Sequence, residues 1–422
     1  MLNIQKNRTN TFYGLLSLPA TAAGFALSIQ IAALSWILST KYGLEIHEVG
    51  YVWAAGPIAG ILAQPIVGLI SDNVWFWNGR RRPFILIGGT IAALMLLCLP
   101  NLDSIANFFN ISSLMIVALF VALTLDLAIN ISFNPTRAII ADVTPEGYER
   151  TKGYTWMQTI SGFFGVLAYV IGATVGNYTL IYLGIFVVLA FSIIPILFIE
   201  EPKILAPDLK QEISTIAVES TTDTKQLWHI YIAHGFTWLG VQTMFVFIFA
   251  YIQQKMNLPS DDAIGQSIGI AFAIMNTVGF LLPALLLKPL SEKIGAVRTH
   301  TLCIASMALS YAAIIFFAKS TTSLYLLMAC VGIGWAATVS LPFAIFSEKV
   351  DKTRMGFYMG IFNLSVVIPQ LIVSLGIGNI IQHFPDKNTI FIISAISLTI
   401  STLLWLFVKE NKPQPQMTKS QK

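Results

Sequence analysis

The chain has 422 residues, 55% of them hydrophobic and 11% charged, with a formal net charge of +4 and a mean hydropathy of +0.73. Soluble domains carry about 25% charged residues, so this composition excludes a soluble globular protein and implies a polytopic membrane protein. The three cysteines, Cys98, Cys303 and Cys330, fall in apolar segments away from any Cys/His cluster, which gives no basis for a disulfide framework, a metal site or a cofactor.

The polar start, Met1 to Asn10, leads into an apolar run too long for a signal-peptide core, so that run reads as a first membrane span. Twelve apolar segments follow in order, at 12–39, 47–70, 84–102, 113–141, 153–175, 178–199, 227–254, 263–287, 299–318, 323–347, 356–380 and 389–408. Each is near the ~20 residues that cross hydrocarbon as a helix. The expected fold is therefore an all-α membrane protein of twelve helices. The polar stretch 200–226 divides it into an N-terminal bundle (1–199), a linker and a C-terminal bundle (227–409), with a polar tail at 410–422.

Basic residues orient the chain. Of the 25 lysines and arginines, 20 fall in the tails and alternate loops, four (Lys41, Lys255, Lys319, Lys387) fall in the other loops, and Arg137 lies inside a span. The positive-inside rule then predicts both termini in the cytoplasm, and the plasma membrane, of the bacterial inner-membrane kind, is the expected location. The halves also echo each other. Ser71-Asp72-Asn73 before Gly79-Arg80-Arg81 matches Ser291-Glu292-Lys293 before Gly295 and Arg298. Asp142, Arg150 and Gly153-Tyr154 match Glu348, Arg354 and Gly356-Phe357-Tyr358. Parallel six-span repeats of this kind describe the major facilitator architecture, with a ligand site near the midplane between the halves.

The fourth span carries Asp126, Asn130, Asn134 and Arg137 on one helical face. A charge in hydrocarbon costs at least ~2.5–3.5 kcal/mol on insertion scales and is seldom kept without a use. Asp126 is the expected proton site, because a low-dielectric medium disfavours the charged form of a carboxylate. Arg137 lies about 16 Å further along the axis, too far for direct pairing within a straight helix. It is expected either in the cavity or at an inner gate, paired with Asp142 or Glu348.

The segment Gly79-Arg80-Arg81-Arg82-Pro83 resembles the GRRRP signature of the plant sucrose–proton symporters and their animal and bacterial relatives, a branch of the major facilitator superfamily. Leu125-Asp126-Leu127-Ala128-Ile129-Asn130, Leu341-Pro342-Phe343-Ala344, and Tyr358 through Gln370 resemble that family's fourth, tenth and eleventh spans, and Gln30 fits its first. The chain departs at Trp77, where the family often has a basic residue, and at Ile129-Asn130, where it has paired asparagines. The resemblance implies a sugar:proton symporter working by alternating access, for a disaccharide such as sucrose or maltose. Expected gating contacts involve Asp72, Arg80, Arg81, Arg137, Asp142, Glu292, Arg298, Glu348 and Arg354.

Sugar recognition calls for amides and carboxylates to meet hydroxyls and for aromatic faces to meet the ring. Gln30, Trp53, Gln64, Asn130, Asn134, Trp156, Gln158, Trp238, Gln242, Asn276, Trp335, Asn363 and Gln370 supply those groups, with Gln30, Asn130, Trp238, Gln242 and Asn363 the leading choices. His234, Trp238 and Gln242 also share a face of the seventh span. Pro135, Pro283, Pro342 and Pro369 are expected to bend their spans. Gly332-Ile333-Gly334-Trp335-Ala336-Ala337 loosely matches a dinucleotide fingerprint but lacks a βαβ context. Without HExxH, GxSxG or Walker sequences, neither hydrolysis nor ATP-driven pumping has residues to carry it, and dispersed basic loops do not fit nucleic acid. The expected partners are a sugar, a proton and the bilayer, with the protein a monomer. The alternatives are a carrier of another solute or with another cation, and a sugar sensor that does not transport.

Overall fold

The computed structural model describes residues 3–145, 148–202, 223–350 and 355–410, without the side chains of 3, 64, 65, 68, 69, 72, 73, 284 and 355–357. Arg354, most of the 200–226 linker and most of the tail therefore lie outside the described residues. What is described is helical apart from connecting turns and one antiparallel bridge, Phe76 to Gly79.

Six helices come from the N-terminal half: α1 (Asn10–Thr40), α2 (Ile46–Trp53, resuming after Ala54 as Ala55–Asn73), α3 (Arg82–Phe108), α4 (Leu114–Val143), α5 (Tyr148–Val175) and α6 (Asn177–Phe198). Six more follow: α7 (Thr224–Lys255), α8 (Asp261–Leu282, continued to Ile294), α9 (Ala296–Phe317), α10 (Thr321–Ser347), α11 (Met355–Ile372, continued to His383) and α12 (Thr389–Trp405). Ten of these are long and apolar enough to cross a membrane among the described residues. The broken α2 and the shorter α12 complete the twelve expected from hydropathy. Large apolar side chains such as Phe120, Phe186, Leu309, Phe316 and Leu326 are exposed on the outer faces, where hydrocarbon rather than water is their natural solvent.

The proline expectations resolve by position. Pro135, Pro342 and Pro369 lie inside helices that continue past them. Pro283 opens a π turn, Pro283–Leu287, one of three among the described residues; the others are Gln30–Leu34 in α1 and Val373–Ile377 in α11.

Within each half, a carboxylate from the last helix's far end ties down the third helix. Glu201, just beyond α6, accepts from the backbone N–H groups of Arg80, Arg81 and Arg82 at 2.9, 2.8 and 2.7 Å. Glu410, beyond α12, accepts from Ala296 and Val297 at 2.8 and 3.0 Å at the start of α9. These N–H groups have no partner inside their own helix, and the positive end of the helix dipole favours an anion there. The two glycines that echo each other in sequence explain themselves here. A Cβ on Gly79 would sit 2.9 Å from a Glu201 oxygen, and one on Gly295 would sit 2.4 Å from a Glu410 oxygen. Gly295 also has φ +96°, a backbone region that side chains disfavour.

Hydrogen bonds join the halves at the end that carries residues 41–46 and 383–388. Ser35 Oγ donates to the Val246 carbonyl at 2.8 Å, and Trp36 Nε1 donates to the Asp261 carbonyl at 2.6 Å. Tyr51 and Asn379 bond across the halves, and Gln382 meets both the His47 backbone N–H, at 3.1 Å, and Glu45. Gly50 permits this closeness, since a Cβ there would be 2.6 Å from the Ser374 carbonyl oxygen.

Candidate substrate cavity and membrane carboxylate

Between the halves lies a cavity of about 320 Å³, walled by α1, α2 and α4 on one side and by α7, α10 and α11 on the other. Ligand pockets commonly run from ~300 to 1,000 Å³. Of the twelve sequence candidates whose side chains are described, eight line it: Gln30, Trp53, Asn130, Trp238, Gln242, Trp335, Asn363 and Gln370; the Gln64 side chain lies outside the described residues. Phe133 and Phe245 add further rings.

Asp126 lies in the N-terminal wall and is only 4% exposed. Gln30 Nε2 donates to its Oδ2 at 3.0 Å, and the Asn130 amide donates to the Asp126 backbone carbonyl at 2.8 Å. Opposite the carboxylate is backbone, because a Cβ on Gly56 would come within 3.5 and 3.6 Å of its two oxygens. A buried ion costs several kcal/mol unless paired, and Gln30 supplies an amide rather than a cation. Lowering that cost by protonation is the simplest chemistry open to this group. On the facing wall, Gln242 is 4% exposed and accepts weakly from Gln370 at 3.5 Å.

The rest of the polar stripe on α4 separates from Asp126. Asn134 does not line the cavity. Arg137 is exposed, and its guanidinium lies 4.2 Å from the centre of the Phe133 ring, a cation–π contact. The expected pairing of Arg137 with Asp142 or Glu348 is not formed. Asp142 pairs instead with Arg81, Nε to Oδ2 at 3.0 Å, while Arg81 Nη1 donates to Ser71 at 2.8 Å. Arg81 is the better partner for a geometric reason: the Glu201 anchor fixes its backbone beside the end of α4.

The other gating candidates are dispersed. The Arg80 backbone is held by Glu201, and the Asp72 side chain and Arg354 are outside the described residues. Glu292 lines a separate recess of about 360 Å³ with Lys288 and Ser291, Arg298 is exposed at the start of α9, and Glu348 is exposed at the end of α10. Trp156 and Gln158 do not line the central cavity, whereas Asn276 stands behind Trp335. Sequence reasoning missed Glu201 and Glu410. Both fall where polar linker and tail were expected to begin, and their partners are more than a hundred residues away.

A profile of the Major Facilitator Superfamily matches residues 16–374. The chain belongs to the Major Facilitator Superfamily. It is a multi-pass membrane carrier and not an enzyme. Sucrose transport protein SUC4 of Arabidopsis thaliana is 24% identical to it over 443 residues, covering 89% of this chain and 85% of the relative. Sucrose transport protein SUT2 of rice (Oryza sativa subsp. indica) is 26% identical, covering 87% of each chain. A general alpha-glucoside permease of Schizosaccharomyces pombe is 26% identical over 174 residues, which is 37% of this chain and 31% of the permease. Among solved structures, the nucleoside transporter NupG superimposes with a TM-score of 0.72 at 13% identity, covering 96% of this chain and 100% of NupG. The xylose transporter XylE from E. coli gives 0.67 at 13% identity, covering 96% and 97%. These likenesses establish the carrier's superfamily fold.

Proposed function

We propose that this carrier is a sugar:proton symporter for a disaccharide, such as sucrose or maltose, with Asp126 as its proton site. The observation that carries the reading is the buried Asp126 carboxylate, bonded to Gln30 in the wall of a cavity that also presents amides and aromatic rings. The sucrose transport proteins and the alpha-glucoside permease among its relatives support a sugar as the solute.

In the proposed cycle, Asp126 takes a proton from one side while sugar enters against Gln30, Asn130, Gln242 and Asn363. Loss of the charge removes the penalty for sealing the carboxylate away from water, and the halves close over the loaded site. The bonds of Ser35, Trp36, Tyr51 and Gln382 form the seal at one end. At the other end the acidic and basic groups around Asp72, Arg81, Asp142, Glu292 and Arg298 exchange partners as the bundles rock. The basic-residue count favours cytoplasmic termini, so the sealed end faces outward, and a monomer in the plasma membrane suffices for the cycle.

The test is Asp126→Asn in proteoliposomes under an imposed proton gradient. The expected result is loss of uphill sugar accumulation with sugar exchange retained. Uphill accumulation by the variant would sink the assignment. Sodium-driven uptake by the parent, with no proton flux, would move the coupling to another cation.

A further inference from the structure

We propose that Trp238 and Trp335 form a two-plane corner that reads the apolar faces of both rings of a disaccharide, and that His234, Asn276 and Gly279 are the positioning residues that hold it. This rests on the sugar reading of the cavity and adds how one ring is told from two.

Trp238 on α7 and Trp335 on α10 both line the cavity, and their ring planes meet at 82° with centroids 6.1 Å apart. Neither indole N–H is offered to a ligand. Trp238 Nε1–H donates to His234 Nε2 at 3.0 Å, and Trp335 Nε1–H donates to Asn276 Oδ1 at 3.1 Å. Both acceptors are themselves fixed. His234 is 3% exposed and stacked on Phe362 at 4.9 Å and 12°. The Asn276 amide donates to the Phe272 carbonyl at 2.9 Å, which turns its oxygen toward Trp335. Gly279, one turn further along α8, gives Trp335 its seat, since a Cβ there would be 2.7 Å from the indole Cδ1.

A buried N–H that already has its partner gains nothing by turning, and leaving it unmade costs free energy. The corner therefore presents only π faces and C–H edges to the cavity. A pyranose or furanose ring carries hydroxyls around its rim and C–H bonds on its faces, and the negative face of an aromatic ring attracts those C–H bonds. One sugar ring can lie on one indole. Two rings joined by a bent glycosidic link can lie on both. The hydroxyl rims then face Asp126, Gln30 and Gln242, which line the rest of the same cavity. Preference for two rings over one is thus assigned to the pair of indoles, and the hydrogen-bonding groups recognise either.

The experiment measures binding of sucrose, maltose and glucose to the purified full-length protein by calorimetry. The parent is compared with Trp238→Leu, Trp335→Leu, His234→Met and His234→Gln. Each leucine variant should weaken the bound disaccharide by roughly 10–100-fold, the scale of a lost apolar contact in a pocket, and weaken glucose much less. His234→Met should reproduce the Trp238→Leu pattern, and His234→Gln, whose amide oxygen can accept from the indole, should restore the preference. If the leucine variants fail to fold, the two His234 variants carry the same test. Equal losses for one-ring and two-ring sugars, or no loss, would overturn the corner while leaving the sugar reading intact. A parent that binds none of the three sugars would overturn both.

Discussion

Replacing Glu201 by alanine tests the clamp that holds the start of α3 in the N-terminal half. The single carboxylate serves three N–H groups, those of Arg80, Arg81 and Arg82, at 2.7 to 2.9 Å. Water can reach part of this helix end, so the loss is set by the cap scale of ~0.5–2 kcal/mol together with ~0.3–1 kcal/mol for an anion at a helix N-terminus. A loss of about 2 kcal/mol follows. For a unit of some 200 residues it lowers the melting temperature by about 4–8 °C. The assay is thermal unfolding of the detergent-solubilised carrier, followed through intrinsic fluorescence. Glu201→Gln keeps an acceptor oxygen without the charge and should lose about half as much. Glu410→Ala removes the counterpart in the other half, with no shared partner, so the double variant should show the sum of the two shifts. A Glu201→Ala protein that melts within about a degree of the parent would refute the reasoning, because a cap worth so little could not fix the start of α3.

Other perturbations probe separate parts of the molecule. Arg81→Met strands Asp142 in a pair whose side chains are 9% and 11% exposed and should cost ~3–5 kcal/mol. Arg81→Lys should recover only part of that, since one ammonium does not reproduce the fork that reaches both Asp142 and Ser71; chemical unfolding of the three proteins checks this. Gly50→Ala places a methyl 2.6 Å from the Ser374 carbonyl and should push α2 from α11. In a background lacking the native cysteines, a cysteine at position 379 should then label faster from the loop-41 side, and unchanged labelling would count against this seal. The carboxyl of Asp386 is held below the usual aspartate range by Lys255, 2.7 Å away, and by the Asn388 N–H. A depressed value in the folded state stabilises above the unfolded pKa of about 3.9, and the gain is lost as pH falls through the lower folded value. The pair is exposed, so Lys255→Met should cost under ~1 kcal/mol at neutral pH, and the difference from the parent should vanish in strong acid.

The helices were legible because hydrocarbon imposes one length and one backbone geometry on every crossing, and the hydropathy of each span records it. Asp126 was legible because nothing apolar about its surroundings accounts for a carboxylate there, whereas its bond to Gln30 joins residues 96 apart in sequence and came only with the structure. Asn134 and Arg137 misled by sharing a helical face with Asp126: a shared face fixes direction and not depth or partner, and Arg137 found an aromatic ring where an acid was expected. Glu201 and Glu410 could not be read at all from their own neighbourhoods. Each closes a contact across more than a hundred residues, and the only trace is a glycine at the receiving end. Likewise the tryptophans were recognisable as aromatic, but whether an indole N–H faces the ligand or the protein depends on a partner in another turn or another helix.

The π turn at Gln30–Leu34 has a bearing on how α1 stores information. A π turn accommodates one surplus residue, so the helix after it is out of phase with the helix before it by about 100°. Gln30, which touches Asp126, stands at the junction, and Ser35 and Trp36, which hold the opposite half, stand just past it. A helical wheel drawn straight through α1 would therefore point Ser35 and Trp36 the wrong way. Deleting a single residue between 31 and 34 would restore an unbroken helix and, with the composition of the cavity intact, turn both closing side chains away from Val246 and Asp261. The cavity-facing and partner-facing stretches of α1 are two messages written in different reading frames of one helix, and the surplus residue is the shift between them.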